Sequence, residues 1–89
     1  MLISSRGQYA IRILLDLAIH DSGEAINVKT IAERQELSEK YMEQILSVLQ
    51  KAGFVVSTRG YHGGYHLTKK PENYTIGKIL RTVDGPLIP

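Results

Sequence analysis

The apolar residues of this chain repeat with helical spacing up to Gly53 and change to the spacing of a strand directly after it. Side chains that recur every three or four residues lie on one face of a helix, whereas alternating ones lie on one face of a strand. The pattern predicts three helices, over residues 6–20, 28–35 and 39–52. Each is preceded by a residue suited to an N-cap, namely Ser5, Asn27 and Ser38.

The segment after Gly53, which is the expected left-handed stop of the third helix, predicts a β-hairpin. Residues 54–58 and 65–68 are rich in aromatic and β-branched side chains, which favour strands. The glycine-rich segment 60–64 lies between them and predicts a turn.

A fourth helix is predicted after a link at residues 71–74, with Thr75 as its cap and Gly85 with Pro86 at its end. The element order is therefore α-α-α-β-β-α, mainly α with a small β-hairpin. This is the order of a winged helix-turn-helix, and residues 1–89 are predicted to form one such domain.

The charges of the chain are distributed unevenly, although the net charge is only +2. No carboxylate occurs between Ala52 and Pro71, whereas Arg59, Lys69 and Lys70 are basic. The hairpin segment is therefore predicted to be a positive patch that suits a polyanion such as DNA.

The composition excludes several classes of function. No cysteine occurs among the 89 residues, which excludes a disulfide, a thiolate nucleophile and a cysteine-ligated metal or cluster. The apolar segment 10–19 is interrupted by Arg12 and Asp16, unlike a signal-peptide core or a membrane span. We therefore expect a cytoplasmic protein that does not interact with a membrane.

The third helix is the predicted recognition helix, the element that enters the DNA major groove in this fold. Its apolar residues cluster on one side of a helical wheel: Met42, Ile45, Leu46 and Leu49. The opposite face carries Lys40, Gln44, Ser47 and Lys51, with Glu43 on its flank. The predicted base-reading residues are Lys40, Glu43 and Gln44, whose side chains can pair with base edges. The residues predicted to contact the DNA backbone are Ser38, Tyr41, Ser47 and Lys51.

The hairpin, residues 54–68, is the predicted wing and is expected to lie at the minor groove. Arg59 followed by Gly60 offers a guanidinium on a slender tip, which a narrow minor groove can admit. Gly63 and Gly64 are predicted to serve the turn, because tight loops often need backbone angles that glycine adopts freely.

Two histidines and four tyrosines of the chain are not predicted to form a ligand-binding site. His62 and His66 lack a third ligand, so no metal site is predicted. Four tyrosines suit packing in the core or the wing better than a base-stacking platform: Tyr9, Tyr61, Tyr65 and Tyr74.

The main alternative function is a winged helix that binds protein rather than DNA, since the fold serves both purposes. In that case Lys40 and Lys51 are solvated helix surface, and loss of Arg59 or Gln44 is tolerated. No nucleophile with a base and no carboxylate pair is recognisable, so the chain is not expected to be an enzyme.

Three segments of the chain resemble the N-terminal winged-helix domain of the Rrf2 family of bacterial transcriptional regulators. They are SSRGQYAIRILLDLA, IAERQELSEKYMEQIL and RGYHGGYHL, and together they cover nearly the whole chain. The resemblance implies transcriptional regulation, expected to be repression, by a homodimer that binds a palindromic operator in double-stranded DNA. By position within the motifs it also supports DNA contacts at Ser38, Lys40, Glu43, Gln44, Arg59 and Gly60.

Members of this family usually continue past the fourth helix into a long dimerisation helix, which carries cysteines in the branch that binds an iron–sulfur cluster. The present sequence ends at Pro89 and has no cysteine. It is therefore expected to correspond to the DNA-binding part alone, with no cofactor in this chain.

Overall fold

The computed structural model describes residues 3–84 and shows helices, one hairpin and one short 3-10 turn. In chain order these are α1 (Ser5–Ile19), α2 (Val28–Gln35), α3 (Glu39–Lys51), β1 (Val55–Thr58), β2 (Gly64–Leu67), a 3-10 turn at Pro71–Asn73 and α4 (Ile76–Asp84). The order α-α-α-β-β-α confirms the predicted winged helix-turn-helix. The predicted end of α4 at Gly85 and Pro86 lies outside the described residues.

Side-chain caps begin the four helices, and three of the caps are the predicted ones: Asn27, Ser38 and Thr75. The prediction of Ser5 as the cap of α1 is wrong by one residue. The Oγ of Ser4 accepts a hydrogen bond from the backbone N–H of Gly7 at 2.9 Å, and Ser5 is already helical. Ser4 takes this role because its backbone is extended and its hydroxyl also donates to Asp84 at 2.6 Å.

The end of α3 explains why β1 begins one residue later than predicted. The N–H of Gly53 donates to the carbonyl oxygen of Gln50 at 3.0 Å, and the N–H of Phe54 donates to that of Leu49 at 2.9 Å. With Gly53 at a φ of 83°, this is a Schellman motif, in which the last helical carbonyls are satisfied. The amide of Phe54 is therefore committed to the helix, and strand pairing starts at Val55.

One apolar core joins the helices to the base of the hairpin. Its buried residues are Ala10, Ile13, Leu14, Leu17, Ile31, Ala32, Met42, Ile45, Leu46, Leu49, Phe54, Val55, Ile79 and Val83. The predicted apolar face of α3 supplies its centre, which confirms the helical-wheel assignment. Within residues 3–84 no helix is long and apolar enough to cross a membrane.

A buried ion pair fastens α1 to α2. Asp16, only 4% exposed, accepts from the Nη2 of Arg34 at 2.7 Å, from its Nε at 3.0 Å and from the Nε2 of Gln35 at 3.0 Å. Burial alone raises the pKa of Asp16, but the hydrogen bonds and the charge of Arg34 outweigh it and hold this pKa below its ordinary value. In the sequence, Asp16 is recognisable only as an interruption of an apolar segment.

The turn between α2 and α3 contains a strained residue. Glu36 has a φ of 56° and a ψ of 43°, which is left-handed geometry that a side chain disfavours. It is held there because the N–H of Leu37 donates to the carbonyl oxygen of Ala32 at 3.0 Å and closes the end of α2.

The hairpin pairs Val55 with Leu67 at its base and Thr58 with Gly64 at its tip, so β2 begins one residue earlier than predicted. The hydroxyl of Tyr74 donates to the carbonyl oxygen of Phe54 at 2.6 Å. Because this bond joins the start of the hairpin to the segment after it, Tyr74 closes the base of the wing.

Replacing Asp16 by Asn should lower the free energy of unfolding by about 1.5–3 kcal/mol near neutral pH, because hydrogen bonds to a buried charge are lost. The lowered folded-state pKa means that this stabilisation is present above the ordinary carboxyl pKa of about 3.9 and disappears as the pH falls through the folded value. Urea unfolding of both proteins at decreasing pH measures it. Asp21→Asn, at an exposed aspartate, is the control, and a pH-independent difference for Asp16→Asn would contradict the assignment.

Replacing Glu36 by Gly should raise the free energy of unfolding by about 0.5–1 kcal/mol, since glycine adopts left-handed angles without strain. The melting temperature should rise by about 2–8 °C in thermal unfolding. Glu33→Gly, in the regular part of α2, is the matched control and should instead cost about 1 kcal/mol. Equal losses in both variants would show that Glu36 is not strained.

Candidate nucleic-acid interface

Ser38 is the N-cap of α3. Its Oγ accepts from the N–H of Tyr41 at 3.1 Å, which leaves the hydroxyl proton able to donate to another group. Ser38 is exposed and lies at the positive end of the helix, where an anionic phosphate is favoured. Its position agrees with the predicted backbone contact, which stays a prediction.

The outer face of α3 is free and polar. Apart from Tyr41, all the residues of α3 that are predicted to contact DNA are exposed: Lys40, Glu43, Gln44, Ser47 and Lys51. Lys40, Gln44, Ser47 and Lys51 follow one another at helical spacing and form a single strip opposite the buried face, which we call the recognition strip. Neither lysine of the strip has an ion-pair partner within the described residues.

Tyr41 differs from the other predicted contacts because its ring is half-buried. It packs edge-on against the ring of Tyr9, with centroids 5.8 Å apart at 89°. The guanidinium of Arg12 lies 5.2 Å from the centroid of Tyr9, and the Nε of Arg12 donates to Gln35 at 2.9 Å. Tyr41 therefore helps to position α3, and its contact with the DNA backbone stays a prediction.

An open groove of about 640 Å³ separates α3 from the wing. Glu39, Glu43 and Gln50 line its helix side, and Arg59 with Gly60 lies on its wing side. Glu43 thus lies on the flank of the recognition strip, as predicted, and the structure shows that this flank faces the wing. The described residues form no ion pair between these carboxylates and Arg59, so their charges remain available to a ligand.

Sequence reasoning missed Glu39 and Gln50 as members of this groove. Neither residue was assigned a functional role from the sequence. Their spacing of four and seven residues from Glu43 puts them on the same side of α3 as that residue. That side was recognisable from the sequence, but the position of the wing against it was not.

The wing is braced against the segment before α2. The N–H of Ile26 donates to the carbonyl oxygen of Tyr65 at 2.8 Å, and the N–H of Tyr65 donates back to Ile26 at 2.9 Å. A Cβ at Gly64 would collide with the carbonyl oxygen of Ile26, so only glycine allows this close approach. The prediction that Gly64 serves the turn is wrong, because Gly64 is the first residue of β2 and is needed there for docking of the wing.

The four tyrosines predicted to pack in the core or the wing differ in burial. Tyr9, Tyr65 and Tyr74 pack against the core as predicted, but Tyr61 is 95% exposed and packs neither in the core nor in the sheet. Its ring packs within the wing, edge-on against the ring of His62 with centroids 5.0 Å apart.

The basic residues of the hairpin segment separate into two groups. Arg59 is exposed at the wing tip, beside the groove. Lys69 instead lies over the rings of Phe54 and Tyr74, with its Nζ 5.7 and 5.8 Å from their centroids. The positive charge of the hairpin segment is therefore divided between Arg59 at the tip of the wing and the exposed Lys69 and Lys70 after β2.

Grouped ligands for a metal are not found among the described residues. The sequence has no thiol, and residues 3–84 bring no three His, Asp or Glu side chains together. His66 makes a contact of 3.1 Å between its Nδ1 and the carbonyl oxygen of Leu67.

The sequence profile of the Rrf2 family, described as iron-dependent transcriptional regulator, matches residues 3–89. The chain belongs to the Rrf2 family. This membership confirms the resemblance carried by the three sequence segments and applies to the whole winged helix described above.

Two relatives of this Rrf2-family chain illustrate the similarity. Protein rrf2 of Nitratidesulfovibrio vulgaris is 42% identical over 84 residues, a match that covers 94% of this chain and 56% of that protein. The HTH-type transcriptional regulator CymR of Bacillus subtilis is 42% identical over 89 residues, covering 100% and 64%. The chain therefore spans less than two thirds of the length of these relatives.

The fold of this Rrf2-family chain also matches a solved structure. CymR, described as the global cysteine regulator of B. subtilis, superposes with a TM-score of 0.91 at 40% identity. The match covers 100% of this chain and 69% of that one. The winged helix is therefore shared along the entire chain.

Replacing Gly64 by Ala should detach the wing from the Ile26 segment, because the added Cβ forces these backbones apart. We expect a loss of about 1–3 kcal/mol in the free energy of unfolding and faster amide exchange at Ile26 and Tyr65. Gly77→Ala in α4 is the matched control, since its Cβ meets only Arg81 at 3.4 Å. Unchanged exchange at Ile26 would contradict the bracing role of Gly64.

Proposed function

We propose that this chain is a sequence-specific double-stranded-DNA-binding domain of a transcriptional regulator. The observation that carries the proposal is the free polar face of α3. The opposite face of the helix is anchored in the core through Met42, Ile45 and Leu49, and the wing beside it is held by the Ile26–Tyr65 bridge. A helix presented in this way fits the major groove, which is about 12 Å wide. Family membership supports the same function.

The recognition strip and the groove beside it divide the predicted contacts into two kinds. Lys40 and Gln44 are placed to read guanine and adenine, and Glu43 accepts from the amino group of cytosine. Ser38, Tyr41, Ser47 and Lys51 fix the helix on the phosphate backbone. The carboxylate of Glu43 repels phosphate. It therefore favours a position of α3 on the DNA in which a base edge, and not a phosphate, faces Glu43.

The wing supplies a contact to the minor groove. Arg59 stands at the exposed tip and has no ion-pair partner within the described residues. Gly60 keeps the tip narrow. A guanidinium inserted there is attracted by the negative potential of a narrow minor groove, which gives both affinity and preference for A·T-rich sequence.

The complete regulator is proposed to act in the cytoplasm as a homodimer that represses by occupying a palindromic operator. Two recognition helices related by a twofold axis read half-sites about one DNA turn apart. The similarity to HTH-type transcriptional regulators supports the regulatory role. No cofactor is assigned to the 89 residues, because they have no thiol, and no catalytic activity is proposed.

The proposal is tested by selecting from a random duplex library with the purified chain at about physiological salt. Enrichment of a palindrome supports a dimer reading two half-sites, and a single half-site supports a specific monomeric domain. Absence of enrichment, also when a dimerisation segment is fused to the chain, contradicts the proposal and favours a protein-binding winged helix.

Substitutions in α3 and in the wing should have different effects on binding to the selected duplex. Gln44→Ala or Glu43→Ala should cost about 1–3 kcal/mol and relax preference at one base position. Arg59→Ala should weaken binding broadly and reduce the dependence on salt by about one phosphate equivalent. Binding isotherms over a salt series, with Glu33→Gln as an exposed control on α2, measure both effects.

Unchanged base preference in both α3 variants would rule out the readout assignment. A salt slope equal to that of the wild type in Arg59→Ala would rule out the wing contact.

A further inference from the structure

Tyr61 occupies the outermost corner of the wing. The N–H of Gly63 donates to the carbonyl oxygen of Gly60 at 2.9 Å and closes a four-residue turn with Tyr61 and His62 at its two corners. Gly60 permits this turn because it has a φ of 113°, an angle that glycine adopts readily and residues with a side chain do not. The ring of Tyr61 is 95% exposed, above every other large apolar side chain described as exposed, among which Ile19 reaches 73%.

The turn that presents Tyr61 is held in place rather than loosely attached. A Cβ at Gly63 would collide with the carbonyl oxygen of Thr58, so the two sides of the tip are in close contact. Below it, the strands pair from Thr58 to Val55, and the Ile26–Tyr65 bridge ties them to the helices. The ring also rests edge-on against His62, with centroids 5.0 Å apart at 87°.

A tyrosine held in this way loses little conformational freedom when it binds, because the backbone is already ordered and only two side-chain torsions remain. The surroundings specify the partner further. Arg59 lies two residues before Tyr61, and the hairpin segment between Ala52 and Pro71 has no carboxylate. The tip therefore combines an apolar ring with a cation, which suits a surface with apolar walls and negative charge.

The minor groove of duplex DNA has this composition, since deoxyribose rings form its walls and phosphates its rims. We propose that Tyr61 is a second wing contact, which packs against the deoxyribose wall of the minor groove entered by Arg59. This inference rests on the proposed function. It adds an apolar contribution to binding, which depends little on salt, to the ionic contribution of Arg59.

The test compares wild type, Tyr61→Ala, Tyr61→Phe and Arg59→Ala in equilibrium binding over a salt series. The probe is the duplex returned by the library selection or, if none is enriched, an A·T-rich duplex of about 25 base pairs at low salt. Tyr61→Ala should bind about tenfold more weakly with an unchanged salt slope, because an apolar contact releases no counterion. Tyr61→Phe keeps the ring and should bind within about twofold of wild type.

Hydroxyl-radical footprinting adds a readout at the sugars themselves. Tyr61→Ala should lose protection of the deoxyriboses at the wing position while it keeps protection over the site of α3. Thermal unfolding should be unchanged in both Tyr61 variants, because the ring is almost fully exposed.

The outcomes separate this inference from the proposed function. If wild type binds neither duplex, both fail. If wild type binds and Tyr61→Ala binds equally well with the same footprint, the Tyr61 contact is overturned while DNA binding stands. A reduced salt slope in Tyr61→Ala would also overturn it, since the loss would then be ionic.

Discussion

The ion pair between Asp16 and Arg34 is the constraint on which the placement of the recognition helix depends. A buried carboxylate is stable only when its oxygens are paired, and here Arg34 and Gln35 satisfy both of them. Both partners lie in the last turn of α2, so its end is fixed on α1. Because the strained turn at Glu36 leaves little freedom, the direction of α3 follows from that of α2. A second line of contacts, from Gln35 through Arg12 and Tyr9 to Tyr41, reaches the first turn of α3 directly.

The wing depends on a different set of braces. Hairpins of two short strands are only marginally stable alone. Here the Ile26–Tyr65 bridge and the hydroxyl of Tyr74 hold the strands against the helical part, and Gly64 makes the first of these possible. The consequence for function is that Arg59 and Tyr61 stand at defined positions relative to α3. A flexible wing would have to be ordered on binding, at a cost in affinity.

Helix and wing share one groove, and its chemistry supports the proposed DNA binding in spite of the small net charge of the chain. Glu39 and Glu43 oppose phosphate on the helix side, whereas Arg59 attracts it on the wing side. Positive charge lies at the wing tip and on Lys40 and Lys51 of the recognition strip. Non-specific attraction is kept low by the carboxylates, so a larger share of the binding energy must come from matched bases. This balance is what the proposed regulator requires.

The sequence by itself determined the element order, the caps at Asn27, Ser38 and Thr75, and the division of α3 into a buried and a free face. These features depend on hydrogen bonds and periodicity within a few residues, which the order of side chains records directly. Only the tertiary structure decided that Asp16 is paired, that Glu39 and Gln50 line the wing groove, that Gly64 docks the wing on Ile26 and that Tyr61 is exposed. Each of these depends on how separate elements are placed in space, as with Asp16 and Arg34, which lie 18 residues apart. Local patterns carry no record of such distances, because many packings are compatible with the same helices and strands.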